Sequence, residues 1–342
     1  MITIYNDYNI RHLNTFRMNV CCSQWIEFTE AVEIPQVLAQ TGSLPRKIVG
    51  ACSNMLFAGD YRGALIHPAI GGIEYTDAPD GSVLVRAGAG VVMDDLAART
   101  AADGLWGLEN LSGIPGEAGA AAVQNVGAYG VEAKDVIALV EAYDTDAKRF
   151  VTFRTEDCAY GYRTSRFKSA PDKDRFVITA VTFRLWRTPH PVLDYGNLRS
   201  HLPQTGSLSP SAVRATVLSV RSAKLPDVAV TGSAGSFFKN PVMDAGAFAR
   251  LCERAATLFG NTEPPFYRAG EGYKVPAAWL IEKSGLKGFV MGGAATWHLQ
   301  PLVIVNASGN ATPEEICALE RYIIDTVYNN FGVKLLPEVE HI

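Results

Sequence analysis

Residues 233–240, Ser-Ala-Gly-Ser-Phe-Phe-Lys-Asn, place a hydroxyl, a cation and an amide within one short run. Small residues allow a backbone to approach another molecule closely. Ser236 presents the hydroxyl at the point of closest approach. Phe237 and Phe238 anchor the segment, and Lys239 and Asn240 add donors. Taken alone, the run also reads as a tight turn of small residues. A second stretch, 107–130, carries glycine at 107, 113, 116, 119, 127 and 130, with an alanine run between. So little side chain leaves room for a large flat group, and Pro115 stiffens the approach to it. Gln124 and Asn125 offer paired donors and acceptors suited to a heterocycle edge. A Gly/Ala helix packed closely on a neighbour is the alternative for this stretch. A third stretch, Cys158–Lys168, gathers Arg163, Arg166 and Lys168 as a local basic cluster that suits an anionic substrate.

The bulk composition narrows the classes. The chain has 342 residues, enough for two or three domains with real cores. Its net charge of −4 and charged fraction of 19% point to neither nucleic acid nor an anionic membrane as partner. No apolar run approaches the length of a membrane span. Met1–Asp7 lacks a basic and then apolar leader layout, so the cytoplasm is the expected setting. The cysteines (21, 22, 52, 158, 252 and 317) contain no Cys-x-x-Cys and read as reduced, mostly buried side chains. The histidines show no metal-ligand spacing, and no metal site is expected.

The elements that must position these residues follow from pattern. Lys47–Gly50 reads as a strand entering a turn, Gly50-Ala-Cys-Ser-Asn, with Ser53 and Asn54 at its end. Such a turn is either an anion nest or an ordinary Ser-Asn turn. Strands are predicted at 55–57, 82–88, 136–144, 149–153 and 176–186, the last rich in β-branched and aromatic residues. Residues 91–103 read as a helix with Met93, Leu96, Ala97 and Ala101 on one face. Gly88-Ala-Gly90 lacks the third glycine and the following acid of a dinucleotide fingerprint, which excludes that motif. The prolines and glycines of 187–210 mark a boundary. Helices are predicted at 211–222, 245–259 and 277–284, and a buried strand at 302–306. A further helix opens on the capping box Thr312-Pro-Glu-Glu315 and is closed by Gly332. A final strand spans Val333–Ile342, an edge strand because of Pro337.

The three motif stretches occur in one order, and together they resemble the UDP-N-acetylenolpyruvoylglucosamine reductase family. The resemblance runs from Asn14-Thr15-Phe16 to Pro337-Glu338-Val339. It implies an α+β protein. A two-lobed FAD-binding domain of the vanillyl-alcohol-oxidase type would cover 12–187, its lobes split near 66. A linker with a substrate-covering tyrosine loop would follow at 188–210. A substrate-binding domain would occupy 211–342, its last strand returning to the active site. The implied chemistry moves hydride from NADPH to non-covalently held FAD. The flavin then passes hydride to the enolpyruvyl double bond of the UDP-sugar, and a proton goes to the adjacent carbon.

The roles carried over are specific. Arg163, in Gly-Tyr-Arg-Thr-Ser, would hold the substrate carboxylate as charge develops on it. Ser236 would protonate C2. Glu338, in Leu-Pro-Glu-Val, would stand beside that carboxylate as a neutral acid. FAD contacts would come from Gly50, Ser53, Asn54, Ile114, Pro115, Gly116, Gln124, Asn125, Gly127, Ala128, Tyr129 and Arg221. Tyr195, Lys224, Asn240 and Gln300 would hold the UDP-sugar. The small UDP-sugar would be the partner, and no obligate protein partner is evident. Three positions depart from the family's habit: Cys52 stands where glycine is frequent, Arg17 where a small residue is usual, and Pro301 follows Gln300. An FAD oxidase of the vanillyl-alcohol-oxidase kind is the competing enzyme class, although no histidine lies in the flavin stretches for covalent attachment. A non-catalytic nucleotide-sugar or flavin binder is the third reading, and it leaves the trio Arg163, Ser236 and Glu338 without a purpose.

Overall fold

A computed structural model describes residues 1–195, 198–202, 208–260 and 262–342. The chain forms two compact units, and neither is a continuous piece of sequence. One comprises Met1–Tyr8, Cys22–Cys52 and Tyr61–Ala223; the other comprises Asn9–Cys21, Ser53–Asp60 and Lys224–Ile342.

The first unit is built on two sheets. In one, the strands run in the order Ile2–Asn9, Cys21–Phe28, Tyr61–Pro68, Arg46–Ile48. Tyr61–Pro68 pairs in parallel with Cys21–Phe28 and with Arg46–Ile48. Parallel neighbours need a crossover, and the helix Ile34–Gln40 lies within it, burying Ile34 and Val37 beside Ile26, Phe28 and Ile66. The second sheet is antiparallel, in the order Arg149–Arg154, Ile137–Asp144, Phe176–Trp186, Ser82–Gly88, Ile73–Asp77. Phe176–Trp186 is its centre, and its first eight residues are all buried. A strand covered on both faces has no use for alternation, which is why its sequence reads as one apolar run.

Two helices cover this sheet. Met93–Ala102 buries Met93, Leu96, Ala97 and Ala101, the face that periodicity predicts. Ala118–Gln124 is short and nearly all alanine and glycine, so its axis comes close to the sheet. The Gly/Ala helix read as the alternative for the 107–130 stretch is present over Ala118–Gln124, packed closely on its neighbours. Gly88 and Gly90 press against the backbone of 69–71, a packing role that agrees with excluding a dinucleotide fingerprint there. The helix Pro210–Ser222 also belongs to this unit.

The second unit carries an antiparallel sheet ordered Gly232–Ser236, Val303–Asn306, Ala294–Thr296, Val290–Met291, and a small one ordered Val242–Met243, Gly272–Lys274, Tyr267–Ala269. Helices Ala245–Phe259, Ala277–Lys283 and Pro313–Phe331 complete it. The last begins as its sequence dictates. Thr312 Oγ1 accepts from the Glu315 N–H at 3.3 Å, and the Glu315 carboxylate accepts from the Thr312 N–H at 2.8 Å. Gly332 closes it with φ of 69°.

The predicted strand over Val333–Ile342 is corrected to Glu340–His341, which pairs in parallel with Met55–Leu56. Before residue 340 the pairing is reduced to an isolated antiparallel bridge between Pro337 and Phe238, in which no N–H is required of the proline. No disulfide joins cysteines among the described residues. No described helix is long and apolar enough to cross a membrane.

Candidate active site

In the first unit the turn before the small helix is fixed at Gly113. Its N–H donates to Asp94 Oδ1 at 2.6 Å, and its carbonyl accepts from Arg221 Nη2 at 2.9 Å. Its φ is +71°, and a Cβ there would lie 2.8 Å from Leu218 Cδ2 and 3.0 Å from Arg221 Nε, so only glycine fits. Arg214 holds Asp94 from the helix Pro210–Ser222, donating through Nη2 at 3.0 Å and also through Nη1. That guanidinium draws the Asp94 carboxyl below its ordinary range against the opposing effect of burial, helped by the Gly113 N–H. The approach to Ile114, Pro115 and Gly116 is thus clamped from both sides by charge. Burial lowers the Arg221 pKa, and it raises that of Tyr129 with a small opposing pull from Arg221.

Asn125 and Tyr129 occupy left-handed backbone, with φ of 46° and 48°. Asn125 ends the small helix, and its side chain is turned inward. Nδ2 donates to the Gly161 carbonyl at 2.9 Å and to Glu132 at 3.1 Å, while Oδ1 accepts from the Lys134 N–H at 3.0 Å. Its amide therefore ties the turn to the segment carrying Arg163. Gln124 Oε1 accepts from Lys168 Nζ. Asn110 is fully buried, and its Nδ2 donates to the carbonyls of Tyr129 and Val192, each at 2.8 Å. Its Oδ1 is buried with no hydrogen-bond donor among the described residues.

Arg163 has a φ of 54°, costly for a residue with a Cβ and a frequent mark of a functional position. Its Nη2 donates to the Gly127 carbonyl at 2.5 Å and its Nη1 to the Asn125 carbonyl at 3.4 Å, with Glu132 at 4.0 Å. The guanidinium is therefore aimed by the 125–127 turn. Of the basic cluster read from sequence, Arg163 and Lys168 are bonded to the 124–127 segment and Arg166 to Asp172. Arg166 is bonded to Asp172 at 2.7 and 3.0 Å and lies 4.4 Å over the Phe153 ring. It is a structural residue.

Tyr195 is exposed and packs near Gly130. Gly196 and Asn197 of the tyrosine loop, and 203–207 of the linker, lie outside the described residues.

In the second unit, Ser236 ends its strand, exposed, after Gly235 at φ of +71°. The next residue connects it to the C-terminus: the Phe237 carbonyl accepts from the Glu338 N–H at 2.8 Å, and the Leu336 carbonyl from the Lys239 N–H at 2.9 Å. Asn54 joins the same group, donating from Nδ2 to the Glu338 carbonyl at 3.3 Å and accepting from the Glu340 N–H at 3.0 Å. Backbone bonds thus bring Ser53–Asn54, Ser236 and Glu338 together from three distant parts of the sequence. Asn240 Oδ1 accepts from the Ala277 N–H at 2.9 Å. Lys224 is exposed. Gln300 opens a turn whose carbonyl accepts from the Val303 N–H at 3.0 Å, and Pro301 fills the second position, where no N–H is required. The departures at 17 and 52 share one cause: Arg17 and Cys52 stand at φ of 58° and 46°, where glycine is unstrained.

Sequence reading missed Asp94, Asn110, Glu117 and His67, all partnered at long separation with no spacing signal. It also expected no metal site, because no histidine pairs at metal-ligand spacing with another His, Cys or carboxylate. The fold brings Cys317, Glu320 and His341 within 4.8 Å of one another, with His341 Nε2 bonded to Glu320 at 2.7 Å.

The arrangement is that of a flavin-binding protein: residues 29–152 match the FAD binding domain family. Residues 227–342 match the C-terminal domain of UDP-N-acetylenolpyruvoylglucosamine reductase. The enzyme of that name from Bacteroides fragilis is 39% identical over 337 residues, covering 98% of this chain and 99% of that one. The Cupriavidus pinatubonensis enzyme is 39% identical over 341 residues, 99% of each chain. The crystal structure of the Thermus caldophilus enzyme has a TM-score of 0.67 at 21% identity, over 100% of this chain and 98% of that one, and so shares the fold. The chain belongs to the UDP-N-acetylenolpyruvoylglucosamine reductase family, and its cofactor is FAD. The residues fit that group: small-residue turns at Gly50 and Gly113 leave room for close approach, and the buried Asn110 Oδ1 has no donor among the described residues.

Proposed function

We propose that this protein reduces UDP-N-acetylglucosamine enolpyruvate to UDP-N-acetylmuramate with NADPH, in peptidoglycan precursor synthesis. The observation that carries the reading is the relationship to named reductases at 39% identity over 98% of the chain. FAD, when bound, takes hydride from NADPH and delivers it to C3 of the enolpyruvyl group. The protein's residues do the rest. Arg163, pre-aimed by the Gly127 carbonyl, holds the substrate carboxylate as negative charge moves into it. Ser236 gives its hydroxyl proton to C2. Glu338, seated by the bond from its N–H to the Phe237 carbonyl, stands beside that carboxylate. Ser53, Asn54, the turns at Gly50 and Gly113, the 124–129 segment and Arg221 hold the cofactor. Tyr195, Lys224, Asn240 and Gln300 hold the UDP-sugar, with Lys224 on the diphosphate. The division into an FAD-binding domain over 12–187, a linker over 188–210 and a substrate domain over 211–342 belongs to the same reading. The cytoplasm, where NADPH and nucleotide sugars are at hand, is its setting.

The test uses the visible spectrum of the purified protein. NADPH should bleach the flavin, and the enolpyruvyl UDP-sugar should restore it without oxygen. Acid precipitation should release all of the flavin. Bleaching with no recovery on adding the UDP-sugar would overturn the substrate assignment.

A further inference from the structure

His67 lies on the strand Tyr61–Pro68 and has been given no role above. Both of its ring nitrogens face carboxylates. Nδ1 is 2.9 Å from Glu27 Oε2 on the adjacent strand, and Nε2 is 2.9 Å from Glu117 Oε1, just before the small helix. Two acceptors require two N–H donors, and only the imidazolium has both. Burial opposes the charge, but the bonds to Glu117 and then Glu27 outweigh it and raise the His67 pKa. The Trp25 ring packs at 5.6 Å.

The other Glu117 oxygen reaches the cofactor turn. Glu117 Oε2 lies 2.9 Å from where a Gly50 Cβ would be. The glutamate side chain is only 10% exposed, so water screens it little. Cys52, the next buried titratable group, has its thiol pKa raised by burial, then by Glu117 and Cys22, and stays neutral. A bare carboxylate in this place would repel an anion seated on the turn.

We infer that His67 is a positioning residue for the cofactor: its imidazolium holds and neutralises Glu117 beneath Gly50, so that the Gly50–Cys52 turn accepts the FAD diphosphate. This rests on the reading that the turn is the diphosphate seat. The carboxylate is then useful as a strut for the turn, and the histidine removes its electrostatic penalty. Linkage follows with a definite sign. If FAD binds best over the protonated pair, retention weakens as pH rises through the elevated His67 pKa. The groups facing His67 are Glu27 on the adjacent strand and Glu117 before the small helix.

The experiment measures FAD release from the diluted holoprotein by the recovery of free-flavin fluorescence, across pH 6 to 9 (on the order of the range spanning an elevated histidine pKa). Wild type should hold FAD less tightly at the alkaline end. His67→Gln should weaken FAD about tenfold at neutral pH, the scale of one uncompensated nearby charge, and should abolish the pH dependence. Glu117→Gln should retain FAD at all these pH values. Adding Glu117→Gln to His67→Gln should restore retention, a sign-specific rescue that a merely structural histidine would not show. If His67→Gln does not fold, Glu117→Gln alone decides, because persistence of the wild-type pH profile in that variant overturns the inference. Gly50→Val separates the two readings. Unchanged FAD retention in Gly50→Val would remove the turn as diphosphate seat. Weakened retention there with unchanged retention in His67→Gln would overturn only the role of His67.

Discussion

Ser236 and Arg163 are prepared in opposite ways. Ser236 follows a left-handed glycine and stands exposed at a strand end, whereas Arg163 is itself strained and clasped by carbonyls. That contrast suits a proton donor that must meet a carbon and a cation that must not move. Ser236→Ala removes only the hydroxyl. In rapid mixing, its flavin should be bleached by NADPH at nearly the wild-type rate, while reoxidation by the enolpyruvyl substrate slows by roughly 10²–10⁴-fold. Equal damage to both half-reactions would remove Ser236 as proton donor. Arg163→Lys keeps the charge but loses the planar fork. Turnover should fall by roughly 10²-fold or more, the scale of one preorganised donor, with FAD content unchanged; a near-wild-type rate would exclude Arg163 from catalysis. Both residues were legible in sequence because each stands inside a motif. Asp94 and His67 were not, because their chemistry arises only from partners that the fold supplies.

Turns, more than helices or strands, build this site. The helices Met93–Ala102, Ala245–Phe259 and Pro313–Phe331 and the strand Phe176–Trp186 fall close to where periodicity and caps put them. Local signals suffice there, since apolar spacing and an N-cap act within a few residues. Backbone at positive φ is harder to read when the residue is not glycine, as at Cys52, Asn125, Tyr129 and Arg163. The long strand expected at the C-terminus failed for a related reason: a β-propensity run with Pro337 has no local sign of where pairing begins. Gly113 gives the element-scale test. Gly113→Ala must place a methyl 2.8 Å from Leu218 at positive φ. The Asp94 and Arg221 clamp should then loosen, and FAD retention measured by dialysis should fall at least tenfold, about 1.4 kcal/mol. Retention equal to wild type would show that the clamp is not needed for the cofactor.

At the scale of the whole molecule, acid sensitivity has one well-placed contributor. Asp144, 4% exposed, accepts from Arg175 at 2.6 and 2.9 Å. Arg175 holds its carboxyl far below the ordinary range, with further help from the Ala147 and Asp146 N–H groups and against burial. A depressed carboxylate stabilises the fold above its unfolded pKa, near 3.9. That contribution is lost as pH falls toward the folded value. Asp144→Asn should therefore lower the melting temperature at neutral pH, and the gap from wild type should narrow steadily below about pH 4. A gap constant with pH would refute the assignment. The interleaving of the two units carries a different consequence. Met55 and Leu56 pair with Glu340 and His341, and the Ala58 N–H donates to the Ile342 carbonyl at 2.9 Å. During vectorial synthesis the early half of this pairing leaves the ribosome with no mate, and it must wait, open to solvent and chaperones, until residues 340–342 have been translated. The seat of Asn54 thus cannot form before Glu338 and Glu340 have emerged, so a nascent chain stalled short of them is structurally incomplete at the place where the chemistry is proposed.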